Sequence, residues 1–292
     1  MRAANVDINV NSPGSFVSRH RFGVFSAGAL VILVLASWVF VVADGGGSAG
    51  PFSPAAWNRA ADFLGDLLGI GSSRTPAFFE WESWRAALGM ARETLAMSVL
   101  AAGLAAVGAL VTVPFAAANL THGDQAPFGP VVGRAMFLVT RSVYIMTRAV
   151  PELIWAFLII FIVSPGVLAG ALALAIHNFG VMGRLAAEVV EDIDPGPARA
   201  LRTSGAGNVQ ILFYGVLPQA LPQFITFLLY RWEVIIRTTV VVGFVAAAGL
   251  GYQFRLDMAF FRYTDVALLL FVYVLLVWGV DIISAGLRRL AR

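Results

Sequence analysis

Residues 22–43 form a run of 22 without an ionisable side chain, and residues 94–121 a second such run of 28. As an α-helix rising 1.5 Å per residue, the first run alone reaches about 33 Å, enough to cross a bilayer core of about 30 Å. Runs of this kind leave few folds open, because every backbone polar group inside lipid must be satisfied within its own segment or in a closed barrel. The composition agrees: charged residues make up 13% and hydrophobic residues 59% of the 292. A soluble domain carries about 25% charged residues. The expected fold is an all-α integral membrane protein.

Further spans are expected over about 134–163, interrupted at Pro151, over 167–182, over 218–237 and over 266–287. Six spans place both termini on one side. Arg19, His20 and Arg21 precede the first span, and Arg288, Arg289 and Arg292 follow the last. By the positive-inside rule that side is the cytoplasm. Residues 1–21 read as a loose cytoplasmic tail. The first apolar run is longer than the 7–15 residues typical of a cleaved signal, so it reads as a retained span. Residues 44–91 read as an extracytoplasmic segment. Within it, Trp57, Phe63, Leu64, Leu67 and Leu68 alternate with Arg59, Asp62 and Asp66 at the spacing of a short helix lying in the outer interface. Trp81 and Trp84 read as interfacial anchors. Residues 92–292 form the core. Its loop at 184–217 holds three Arg and four acids, so span parity rather than charge assigns it to the cytoplasm.

Several chemistries are excluded or disfavoured. The chain has no Cys, which removes disulfides, thiolate catalysis and Cys-ligated metals. Its three His (His20, His122, His177) have no metal-ligand spacing. No basic patch interleaved with aromatics suggests nucleic acid. All 20 basic residues are Arg. No nucleophile–base pair or cluster of acids marks a membrane-embedded enzyme.

The loop at 184–217 contains Pro195, Gly196, Pro197, Ala198, Arg199, Ala200, Leu201, Arg202, Thr203, Ser204 and Gly205, and later Leu217 and Pro218. Residues 198–203 suit a short helix that Gly205 can end, after which 206–217 return to the membrane. This pattern resembles the cytoplasmic EAA loop of ABC importer permeases, with Gly six residues after the first motif position and a closing Leu-Pro. It departs at Arg199, where that family has Glu, at Leu201 and at Gly215. RAVPE at 148–152, AIHNFG at 175–180, DPGP at 194–197, YGVLP at 214–218, LYRWE at 229–233, RTTVVVG at 237–243 and AGLG at 248–251 resemble, more closely, the phosphonate ABC transporter permease. That resemblance covers roughly residues 92–290. It implies a type I ABC importer permease with six transmembrane helices, an outer interfacial helix and a cytoplasmic coupling helix, in a bacterial inner membrane. It also implies an ATPase dimer, an extracytoplasmic substrate-binding protein and a second copy of the chain around one path. The chain carries no phosphate-cradling Gly-x-x-x-x-Gly-Lys-Ser/Thr motif, so ATP is expected on the partner and no cofactor on this chain. The implied coupling residues are Ala198, Arg199, Ala200, Leu201, Arg202, Gly205, Leu217 and Pro218. A coupling loop argues against a passive channel. Permeases for an amino acid or a quaternary amine share the layout, and a cation would favour acids and aromatic cages over arginines.

Ionisable groups inside spans are rare and face protein or water. Arg134, Arg141 and Arg148 recur every seven residues along one helix stripe. Arg148 and Glu152, and Glu233 and Arg237, stand four apart and are expected to pair on their own helix faces. Arg141, Arg148, Glu152, Arg231, Glu233 and Arg237 are therefore the candidate substrate-path residues. A guanidinium offers a fixed charge and a planar fork for two oxygens of an oxyanion. Arg134 reads as a snorkelling residue, and His177 with Asn178 as packing polar groups at an inner span end. Gly243, Gly249 and Gly251 permit close helix approach or an unwound gate.

Overall fold

The computed structural model describes residues 13–44, 53–70, 75–121 and 130–290. His122 and the Gly-rich run after Asp44 lie outside them, as do residues 1–12 of the expected tail. Two compact units divide the chain, residues 1–65 and residues 66–292.

In the first unit, α1 (Pro13–Asp44) begins nine residues before the expected span at 22, so that part of the tail is helical. Residues 23–40 are exposed all round, with Val24, Phe25, Leu33 and Phe40 more than two-thirds exposed. A helix apolar on every face suits lipid as its solvent. The amphipathic segment is α2 (Pro54–Leu68), which buries none of its residues.

In the second unit, α3 (Trp81–Ala116) starts thirteen residues before the expected span. Its 36 residues reach about 54 Å, well past a bilayer core. Glu82, Arg85, Arg92 and Glu93 therefore ride on its N-terminal turns rather than in a loop. α4 (Ala118–Thr121) is a single turn. α5 (Pro130–Ala149) and α6 (Glu152–Ile159) meet at an angle of 93°. Pro151 has no N–H to continue α5 and becomes the N-cap of α6. α7 (Val167–Asp192) is ten residues longer than expected. α8 (Gly196–Thr203) and the turn α9 (Asn208–Gln210) lead into a π-helical stretch, Ile211–Val216. α10 (Leu217–Ala246) continues nine residues past Arg237, α11 (Gly249–Ala259) follows it, and α12 (Tyr263–Leu290) ends the unit. Among the described residues, five helices are long and apolar enough to cross a membrane, and the bent α5–α6 pair makes six if counted as one span.

The core is built on small residues. Ala101, Ala105, Ala109 and Ala116 of α3 and Ala169, Ala173 and Ala187 of α7 are fully buried. Without Cβ branching, backbones approach closely enough for dispersion to hold helices together in lipid. At Gly180 a Cβ would stand 2.5 Å from the Tyr144 carbonyl oxygen of α5, which fixes that crossing.

The junction between α10 and α11 is a tight backbone turn. Ala247 takes φ 56° and Gly249 φ 64°, so the chain reverses within three residues. The opened N–H groups are met from α3: Glu93 Oε2 accepts from Gly249 N at 3.0 Å, and Thr94 Oγ1 accepts from Leu250 N at 2.9 Å. Thr94→Val keeps the shape and leaves a buried N–H without its acceptor. It is expected to destabilise the bundle by about 1–3 kcal/mol, read as a lower unfolding midpoint of the purified protein in detergent. An unchanged midpoint would show that the junction does not depend on this bond.

Candidate functional sites

One end of the bundle is organised around α8. Only Ile193, Asp194 and Pro195 separate it from α7, and Asp194 Oδ1 accepts from Gly196 N at 2.9 Å. Its C-terminus closes with two reversed bonds, Gly205 N to Arg202 O and Ala206 N to Leu201 O, both 3.0 Å. Gly205 sits at φ +85°, the left-handed conformation this closure requires. Ala198 and Leu201 are half-buried and pack on a cluster containing Ile211, Val216 and Val190. Gly215 lets them in: a Cβ there would stand 3.0 Å from Leu201 Cδ1. That contact accounts for the small residue at one position where the sequence departs from the EAA pattern. Arg199, Ala200, Arg202 and Thr203 remain exposed, which leaves one polar, basic face of α8 open to a partner.

A second site lies at mid-helix depth. Arg231 is the fifteenth of 30 residues in α10, and His177 and Asn178 are the eleventh and twelfth of 26 in α7. His177 and Asn178 are thus far from the inner span end where sequence spacing put them. Arg231 donates from Nε to Asn178 Oδ1. Asn178 is 2% exposed and donates its Nδ2 to Leu174 O at 2.7 Å, so both ends of its amide are committed. Glu152 lies near enough to Arg231 to act on its charge, and its Oε2 stands 3.7 Å from His177 Nε2. His177 Nδ1 lies 3.0 Å from Val150 O and Trp155 Nε1 donates to Thr147 O at 3.1 Å. These two bonds satisfy carbonyls that the α5–α6 bend leaves open.

The bend also corrects an expectation. Arg148 and Glu152 do not share a helix face, because α5 ends between them. Each instead stands at a helix end whose dipole favours it, Arg148 in the last turn of α5 and Glu152 in the first turn of α6. Glu233 and Arg237 do not pair either. Glu233 is bonded to Arg288, whose guanidinium lies 4.1 Å over the Tyr230 ring, and Arg237 Nη2 contacts Asp281 Oδ2 at 3.1 Å. Both partners come from α12, which packs beside α10, and interhelical geometry wins over spacing along one helix. Arg141 is likewise occupied, by Glu191 at 2.7 Å. Sequence reasoning passed over Glu191 and Asp281 as partners, and gave Asn178 a packing role without its bond to Arg231. The signal available was that a charge in a span needs a partner, and Asp281 lies in the middle of an apolar run. Outside the spans, burial pushes the Asp257 carboxyl above its ordinary value, opposed by Arg262 at 2.8 Å.

Among the described residues, then, Arg141, Arg237 and Arg288 face carboxylates, whereas the direct partner of Arg231 is a neutral amide.

Residues 128–291 match the family described as binding-protein-dependent transport system inner membrane component. The phosphite transport system permease protein PtxC of Stutzerimonas stutzeri is 37% identical over 219 residues, 75% of each chain. The phosphate-import permease protein PhnE of Mycolicibacterium smegmatis is 34% identical over 201 residues. That is 69% of this chain but 36% of that protein, so this chain spans about a third of its length. In fold, an inward-facing methionine ABC transporter superposes with a TM-score of 0.59 at 20% identity, over 70% of this chain and 95% of that one.

Proposed function

We infer that this chain, which belongs to the family of binding-protein-dependent transport system inner membrane components, carries phosphite-, phosphonate- or phosphate-type oxyanions into the cytoplasm by alternating access. The observation that carries the substrate reading is Arg231, a guanidinium at mid-helix depth held by an amide rather than cancelled by a bonded carboxylate. A charge there is expensive unless something answers it. Because Nε is occupied by Asn178, the Nη groups form a fork for two oxygens of a tetrahedral anion. Glu152 bears on the same charge and serves as its counterweight when the path is empty. Relatives named for phosphite and phosphate transport support the same class.

The rest of the machine follows from the inner end. The exposed face of α8 suits a groove on a cytoplasmic ATPase, which binds the ATP this chain has no motif for. One α8 per chain against a two-grooved ATPase dimer argues for two copies of the chain. An extracytoplasmic binding protein delivers the anion, and both termini are cytoplasmic.

The test is ATP-driven uptake by the reconstituted permease, ATPase and binding protein, comparing phosphite, methylphosphonate and phosphate with methionine. At least one oxyanion should accumulate and methionine should not. Accumulation of methionine alone would end the oxyanion reading, and uptake without the ATPase would end the importer reading.

A further inference from the structure

We propose that Arg141 and Glu191 form the joint through which movement of α8 reaches the helical bundle, and that they are positioning residues for coupling rather than contacts of the transported anion. The proposal rests on the reading of α8 as the ATPase-docking helix.

Glu191 is the penultimate residue of α7, a few residues before α8 begins. Its Oε1 accepts from Arg141 Nη2 of α5 at 2.7 Å and from Ala118 N, at the start of α4, at 2.7 Å. The same guanidinium donates from Nε to Ala116 O, the last residue of α3, at 2.9 Å, and its CZ lies 5.2 Å from the centre of the Phe137 ring. At the adjacent residues, Asn119 Nδ2 donates to Val190 O at 2.8 Å. One carboxylate and one guanidinium therefore tie the ends of α3 and α7 to α5.

The joint is stiff for stated reasons. Two charge-assisted bonds share one carboxylate oxygen, and they are directional. Both side chains are about three-quarters buried, so water competes poorly for them. Asp194 and Pro195 keep the link to α8 short and restrained. A push on α8 then moves α7, α3 and α5 as one body instead of bending the α7 terminus alone. Rigid-body movement of this kind is how small shifts at one end of a packed bundle become large ones at the other.

The test uses the full complex of permease, ATPase and binding protein in liposomes, reading solute taken up per ATP hydrolysed and the amount of assembled complex. Glu191→Gln keeps an oxygen for Ala118 N and removes the charge that holds Arg141. ATP hydrolysis should continue while uptake per ATP falls about tenfold, in keeping with loss of a charge-assisted bond. Arg141→Lys keeps the charge but cannot span Glu191 and Ala116 O together, so the ratio should be intermediate. An unchanged ratio in Glu191→Gln, or a loss of uptake and hydrolysis in proportion to lost complex, would overturn the joint. Gly205→Val tests the docking helix separately. If that change uncouples the complex and Glu191→Gln does not, the joint falls and the docking helix stands; if neither uncouples, both readings fall.

Discussion

Arg231→Gln is expected to cut ATP-driven oxyanion uptake by about a hundredfold or more, the scale of a lost bidentate charge-assisted contact in low dielectric, with the amount of assembled complex unchanged. Assembly should survive because a neutral amide at mid-helix depth is cheaper to bury than a guanidinium, and Gln can still meet Asn178. Arg231→Lys should recover part of the uptake: the charge returns, but three mobile donors replace the planar fork. Arg237→Gln should do much less. Arg237 is half-exposed and bonded to Asp281 of α12, an arrangement that ties helices together rather than leaving a charge for a passing anion. Uptake and complex falling together in Arg231→Gln would make Arg231 a packing residue and end its place in the path.

Gly205→Val is the second large effect. Nothing stands within 4 Å of a Cβ at Gly205, so the penalty is conformational and not steric crowding by neighbours. A β-branched residue at φ +85° costs about 1–2 kcal/mol, and the two reversed bonds that end α8 depend on that conformation. The change should loosen α8 relative to the π-helical stretch while the spanning helices insert as before. Uptake should fall at least tenfold for a helix that no longer presents one geometry to its partner, with ATP hydrolysis by the complex retained. Gly205→Asn, which tolerates the left-handed region, should keep most of the coupling. Normal uptake in the Val variant would remove α8 from the coupling pathway.

The helices were legible where the pattern is dominated by absence of charge. The apolar runs placed α1, α12 and the centres of α3, α7 and α10, and the Gly205 turn placed α8. The span ends were not legible, because polar residues such as Glu82 and Arg92 of α3, or Glu188 and Asp192 of α7, read as loop when a long helix simply leaves the lipid. The break at Pro151 was visible as a proline; its 93° angle was not, since a proline in a span can also kink it gently. The residues of the α8 loop lie close in sequence, so the short helix and the Gly205 turn that ends it were legible. The pairing of Glu233 with Arg237 was misplaced because spacing of four along one helix names only the local candidate, and the heptad stripe gave Arg141 no partner at all. The partners Glu191, Arg288 and Asp281 are set by which helices pack together, which no local period encodes. Glu93 and Thr94 were invisible for the same reason, as each answers an N–H more than 150 residues away.

On the reading of Arg231 as the anion's contact, its place at the centre of α10 also sets how transport feels the membrane voltage. A bacterial membrane negative inside opposes inward movement of an anion by about 2.3 kcal/mol per charge for each 100 mV crossed in full. A site halfway through bears about half of that, roughly 1 kcal/mol per charge, or a factor of about five to seven in occupancy. A fixed positive charge at that depth offsets this electrical slope for the entering anion. The work that remains lies on the inner half of the route, where the anion must leave Arg231 against the rest of the field, and that is the half nearest α8 and its motor.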